Sequence, residues 1–261
     1  MTYPQWIVLH VPHDSTEVPS SVREQFVLDD AKLRAELGKM TDHHTLALFS
    51  DATLDAQVVR APVSRLVVDV ERFPEDDDEP MSKRGMGAVY TATSELSPLR
   101  RALSAQEREE LMRDYYIPHH ARLETAVAAA VEEYGKCLVI DCHSFPNTPL
   151  PYELAAADST RPDICIGTDE YHTSSGLAKS FADKFRRAGW SVNSNDPFSG
   201  ALVPISRYRR DQRVSAIMVE INRKLYARES SAERLPCFDH VAWQIKQCCL
   251  AAVEAFDAMQ S

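Results

Sequence analysis

The chain has no run of 18 apolar residues, no basic segment leading into a short apolar stretch at its start, and no stripe of lysine and arginine with interleaved aromatics. The first absence excludes a membrane-crossing helix, and the second, in MTYPQWIVLHVPH, points to the cytoplasm. The third matters because net charge is −10 and the basic pairs Arg100-Arg101, Arg186-Arg187 and Arg209-Arg210 are scattered. Neither nucleic acid nor a membrane surface is expected as a partner. Glycine is scarce, 8 in 261 residues, and no Pro/Gly/Ser-rich stretch divides the chain, so one domain over 1–261 is expected. No repeat or low-complexity segment is present. The six cysteines (Cys137, Cys142, Cys165, Cys237, Cys248 and Cys249) form no C-x-x-C pair and sit in apolar runs. They read as buried free thiols rather than a disulfide or zinc-cysteine framework.

What the chain does have is apolar residues, 44% of the total, in short unalternating runs separated by helical patterns. Trp6 to Val11, AQVVRAP, SRLVVDV, KCLVIDCHSF, DICIGTD, WSVN and SAIMVEIN read as strands. Helices are expected from Asp29, over Thr41 to Phe49, over Ser104 to Glu133, over TSSGLAKSFADKFRRAG, and from Asp239 to Phe256. SAQE offers a capping box at Ser104, and Pro118 is placed to kink the long helix. Strands alternating with helices predict an α/β sandwich with a mixed, mostly parallel sheet. The acidic run EDDDEP reads as a solvated loop, a cation site there being the alternative.

Three of the expected strands end in chemically useful residues. His13 follows WIVLHVP, His143 closes LVIDCHSF, and Glu220 stands in IMVEIN. Ligands in open α/β sheets bind beyond the carboxyl ends of strands, so these residues should converge. Neutral imidazoles with a carboxylate suit a zinc site whose fourth position is open, and a further carboxylate can take a proton from water there. Burial of Glu220 should raise its pKa toward the range useful for proton transfer; a buried pair with Arg223 or Arg72 is compatible with that role. Asp42, His43 and His44 form a cluster that reads either as ligand plus support or as a capped helix start. His10 is expected to be a satisfied core or surface histidine, and His119-His120 to face solvent or pack a helix. Cys142, next to His143, makes a poor nucleophile, because neighbouring strand residues point to opposite faces. Arg65 and Arg72 flank LVVDV; either can hold an anionic substrate group, or form a surface salt bridge.

Taken in order, PHDSTEVP, TDHHT, SRLVVDVER, DCHSF and EINRKLY resemble the N-formylglutamate amidohydrolase (deformylase) family over about residues 8–226. That family is related to the aspartoacylase and zinc carboxypeptidase group. The resemblance implies a three-layer α/β/α fold and a zinc-dependent reaction in which a metal-bound water attacks an amide. It implies His13, His143 and Asp42 as zinc ligands, one divalent ion per chain, and Glu220 as general base. It further implies Arg65 and Arg72 on the carboxylate of a small anionic N-acyl amino acid, with Asn222, Arg223 and Arg207 as further contacts.

Two departures bear on this. Relatives commonly read D-[LV]-N-R where this chain has Asp69-Val70-Glu71-Arg72, and an acid beside an anion-binding arginine weakens the case for glutamate as the leaving amino acid. The first segment also lacks H-x-x-E: Thr16 stands three residues after His13 and Glu17 four, so Asp42 or Glu17 must supply the third ligand, with Asp42 preferred. A zinc peptidase or amidase acting on a larger N-acylated or peptide substrate is the alternative, which an open cleft would favour. A non-catalytic member that binds a metal or small acid is another; Glu71 keeps it open, while intact His13, His143 and Glu220 argue against it.

Overall fold

The computed structural model describes residues 2–51, 57–153 and 160–260. Chain order runs β1 (Ile7–Val11), α1 (Ser20–Arg23), α2 (Asp30–Met40), α3 (Thr45–Phe49), β2 (Gln57–Arg60), α4 (Ala105–Leu111), α5 (Ile117–Tyr134) and β3 (Cys137–Phe145). It continues through β4 (Ile164–Gly167), α6 (Ser175–Arg187), β5 (Val192–Ser194), β6 (Val214–Asn222) and α7 (Phe238–Gln260). Ala56, which opens the expected AQVVRAP strand, lies outside the described residues.

The six strands form one sheet in the order β2-β1-β3-β6-β4-β5, parallel at every pairing except β4 with β6. The sheet is therefore mixed and mostly parallel. β3 is buried over its whole length, as a central parallel strand covered on both faces must be. On one face Ile7, Leu9, Leu138, Ile140, Ile217 and Val219 pack with α3, α6 and α7. On the other, Val8, Val139 and Ala216 meet Leu123, Val127 and Val131 of α5. This gives three layers, α/β/α. Helix starts match the expected caps: Asp29, Ser104 and Ser174 accept from the backbone N–H groups of Lys32, Glu107 and Leu177, and Ser104 with Glu107 completes a capping box. No helix among the described residues is long and apolar enough to cross a membrane.

SRLVVDV is not a strand. Val67 and Val68 donate backwards to the Ser64 carbonyl, 2.8 and 3.4 Å away, which makes the segment a turn. Asp69 N–H donates to the Ala88 carbonyl at 2.8 Å, and Arg100 donates to the Leu66 and Val67 carbonyls. These partners satisfy the backbone without a ladder, while Leu66, Val67 and Val68 fill a second apolar core. The long helix is also interrupted. Met112 to Tyr116 form a wide π turn immediately before Pro118, whose ring would clash with the Asp114 carbonyl in a regular helix. Five of the cysteines are buried and free as expected, whereas Cys237 is free and exposed.

Candidate active site

Strand periodicity and register assemble the site. Side chains two apart share a face, so His10 lies below α5 with Val8, Asp141 and His143 with Val139, and Glu220 with Ala216. In the ladder His10 is the Cα partner of Asp141, and His143 that of Glu220. All four are buried at the carboxyl ends of β1, β3 and β6.

His13 and Asp42 come from the loops beside them. Asp42 N–H donates to the His13 carbonyl at 2.9 Å, joining the segment after β1 to the segment between α2 and α3. Asp14 then fixes the start of α3, accepting from the N–H groups of His44 and Leu46. Asp42 Oδ2 ends 3.1 Å from His143 Nδ1 and 3.7 Å from His13 Nδ1. The opposite nitrogens face carboxylates: His13 Nε2 is 2.8 Å from Asp69 Oδ1, and His143 Nε2 is 3.1 Å from Asp141 Oδ1. A carboxylate only accepts, so a ring nitrogen facing one carries a hydrogen unless a cation takes its place; Asp69 and Asp141 hold the Nε2 hydrogens, and both Nδ1 atoms face Asp42.

This arrangement fits a metal ion. His13 Nδ1 is buried and has no hydrogen-bond partner, an arrangement that a neutral protein interior tolerates poorly. The ligand atoms of His13, Asp42 and His143 lie within 4.8 Å of one another. Their spacing of 3.1 to 3.7 Å brackets the ~3.3 Å edge of a tetrahedron with bonds of about 2.0–2.1 Å. Burial opposes ionisation of Asp42, but the His13 and His143 rings outweigh it and hold the carboxyl well below the usual range. Asp69 behaves alike: burial opposes, and Arg65 and His13 prevail.

Glu220 is the contrasting acid. Burial pushes its carboxyl up to about 8, against the pull of His143, and its Oε2 has no hydrogen-bond partner. A buried carboxyl with a free oxygen, one strand away from His143, can give and take a proton near neutrality.

The structure brings together only part of the expected anion-binding set. Arg65 uses Nε and one Nη on Asp69 Oδ2, at 3.2 and 2.8 Å. Arg72 stands 3.7 Å from both Asp69 Oδ2 and Glu79 Oε1, and its buried Nε has no hydrogen-bond partner. Arg223 instead holds Asp42, with Nη2 3.4 Å from Oδ1 and Nη1 donating to the Lys39 carbonyl at 2.7 Å. The Asn222 amide is fully engaged: Nδ2 donates to the Pro162 carbonyl and Asn147 Oδ1, and Oδ1 accepts from Lys224 N–H. Arg207 is not in the site. It pairs with Glu124 and with Asp211, whose carbonyl caps the start of β6, about 20 Å of strand before Glu220.

Other candidates are placed as clearly. Glu17 is exposed, so Asp42 and not Glu17 joins the histidines. His43 and His44 donate to the carbonyls of Gly38 and Ala232. Cys142 is buried, its thiol pushed well up by burial and its Sγ turned to the Ile140 carbonyl. The two candidate metal-binding clusters among the described residues use none of the 75–79 acids, and Glu79 serves as cap to the 3-10 turn Pro80–Arg84. The residue that sequence reasoning passed over is Asp69. Its signal is an acid inside the apolar run VVDV, which only a charged partner makes tolerable.

The architecture is a three-layer α/β/α fold that solved structures share. A solved N-formylglutamate amidohydrolase from Ralstonia eutropha superposes with a TM-score of 0.84 at 22% identity, covering 99% of this chain and 97% of that one. A gene product from Agrobacterium tumefaciens gives 0.68 at 21% identity over 98% and 92%. The family model described as N-formylglutamate amidohydrolase matches residues 6–227, and the chain belongs to that family. N-formylglutamate deformylases from Pseudomonas putida and Pseudomonas aeruginosa are 28% and 25% identical to it; each alignment covers 86% of this chain and, respectively, 82% and 83% of the relative.

Proposed function

We propose that the chain is a zinc-dependent amidohydrolase that removes the formyl group, or another short acyl group, from a small anionic amino acid derivative such as N-formylglutamate. The observation that carries this reading is the convergence of two imidazole Nδ1 atoms on Asp42 Oδ2 beside the unpartnered carboxyl of Glu220. The names of the Pseudomonas relatives support the choice of bond and substrate.

His13, Asp42 and His143 would hold the ion. When bound, zinc polarises the scissile carbonyl and lowers the pKa of water toward about 7. The protein's own groups do the rest. Glu220 takes a proton from the attacking water and returns it to the leaving nitrogen, a dual task that a pKa near neutrality serves. Asp69 and Asp141 fix the two rings through their Nε2 hydrogens. Arg72, with its unpartnered Nε, and Arg65 bind the substrate carboxylate. Glu71 does not neutralise them, because its carboxylate turns to His10 and His143 instead, 3.1 and 3.9 Å away. The amide C–N bond breaks with one water consumed, leaving formate and the free amino acid.

The test is formate release from N-formylglutamate by zinc-loaded and chelator-treated protein. Formate only from the loaded protein is the expected outcome. No release of formate or acetate from any N-formyl or N-acetyl amino acid, with zinc bound, overturns the reading.

A further inference from the structure

A second cluster lies on the far side of the His143 ring. His10 of β1, Asp141 of β3 and Glu71 of the turn segment after Ser64 each place one ligand atom within 4.8 Å of the others. His10 Nδ1 is 2.8 Å from Asp141 Oδ1 and 3.1 Å from Glu71 Oε1. His143 Nε2 faces the same spot, 3.1 Å from Asp141 Oδ1 and 3.9 Å from Glu71 Oε2.

We propose that His10, Glu71 and Asp141 form a second binding site for a divalent transition-metal ion, so that the centre holds two ions on either side of His143. This rests on the reading of His13, Asp42 and His143 as the first site. The reason lies in lone pairs. Two carboxylates converging on one imidazole nitrogen need positive charge between them, which a protonated ring supplies where no cation does. A hydrogen on Nδ1 points at one oxygen; Asp141 takes it, and Glu71 Oε1 stays buried without a hydrogen-bond partner. A cation meets all three donors, and the separations of 2.8 and 3.1 Å are those of ligands around one small ion.

The surroundings are built for it. His10 Nε2 is 2.8 Å from His119 Nε2, a partner that takes its hydrogen when a cation displaces the proton from Nδ1. Asp141 Oδ2 is fixed by Leu202 N–H at 3.0 Å, which sets the direction of Oδ1. His10 and Asp141 are fully buried, whereas the Glu71 side chain is 16% exposed and marks the route of entry. One imidazole and two carboxylates suit zinc, manganese or ferrous iron better than a soft ion. Because Asp141 Oδ1 also accepts from His143 Nε2, the two sites are linked through Asp141 and the His143 ring.

The experiment counts metal by elemental mass spectrometry in the full-length protein, stripped with chelator and reloaded with zinc, followed by manganese titration read by electron paramagnetic resonance. The expected result is about two ions per chain in the wild type, about one in Glu71→Gln and about one in His13→Ala. His10→Gln gives the same reading as Glu71→Gln and replaces it if that variant does not fold. One ion in the wild type, lost in His13→Ala and retained in Glu71→Gln, overturns the second site and leaves the first intact. No ion in the wild type overturns both.

Discussion

His13 and His143 stand with their ring centroids 5.0 Å apart and their planes at 58°, each backed by a buried carboxylate of its own. Neither ring is free to turn. Their Nδ1 atoms are aimed by Asp69 and Asp141, residues that would not themselves touch the ion of the proposed first site, and the aim is therefore testable apart from the ligands.

Asp69→Asn removes a charge that Arg65, Tyr90 and His13 all share. The amide keeps the shape but can present its N–H₂ to His13 Nε2, which favours the tautomer with hydrogen on Nδ1. Zinc affinity should fall about ten- to a hundred-fold. Competition with a chromophoric chelator measures it, and an unchanged affinity means that His13 is not oriented by Asp69.

Glu220→Gln should keep bound zinc at the wild-type level while lowering kcat about 10²- to 10⁴-fold, the range typical of a lost proton-transfer group. Metal analysis beside a formate assay separates the two effects. Loss of metal together with activity would make Glu220 a ligand rather than a base.

Arg72→Ala should raise KM for an N-acyl amino acid with little change in kcat, because on the proposed reading it removes a contact to the unreactive carboxylate. Arg207→Ala, tied to Glu124 and Asp211 toward the start of β6, should leave both constants unaltered. Steady-state kinetics on the two variants decides the placement. A larger effect at Arg207 than at Arg72 would reverse it.

Much of this site was legible in the sequence because strand periodicity reports faithfully on faces. His143 and Glu220 end or stand in apolar runs, so two site residues follow from the strand pattern, while Asp141, two before His143, shares its face by period two but is not singled out. Asp42 needed the family resemblance, since nothing local says that a turn between two helices will meet His13. His10 is the satisfied core histidine that the sequence suggests, but its partners, Asp141 and His119, lie 131 and 109 residues away and could not be named from the sequence. SRLVVDV misled for a physical reason: burial on all sides selects valine whether the backbone pairs with a strand or with Ser64, Ala88 and Arg100. Arg207 misled because a guanidinium in a loop carries no sign of which end of the sheet it serves.

Glu220 also makes the stability of the metal-free protein depend on pH in a direction opposite to that of ordinary carboxylates. Its folded pKa, near 8, lies above the value of about 4.3 in an unfolded chain, so between those limits the folded state binds the extra proton. Stability from this group is fully present below about pH 4.3 and is lost as pH rises through 8. Glu220→Gln cannot titrate and escapes that loss. The melting temperature of the stripped variant should therefore exceed that of the stripped wild type by a margin that widens from pH 5 to pH 8. Zinc should narrow it, because a dication nearby favours the ionised carboxylate. Calorimetry across that range, with and without the ion, is the measurement. A margin that does not change with pH would show that the carboxyl ionises normally within the fold and that its burial does not tune it for proton transfer.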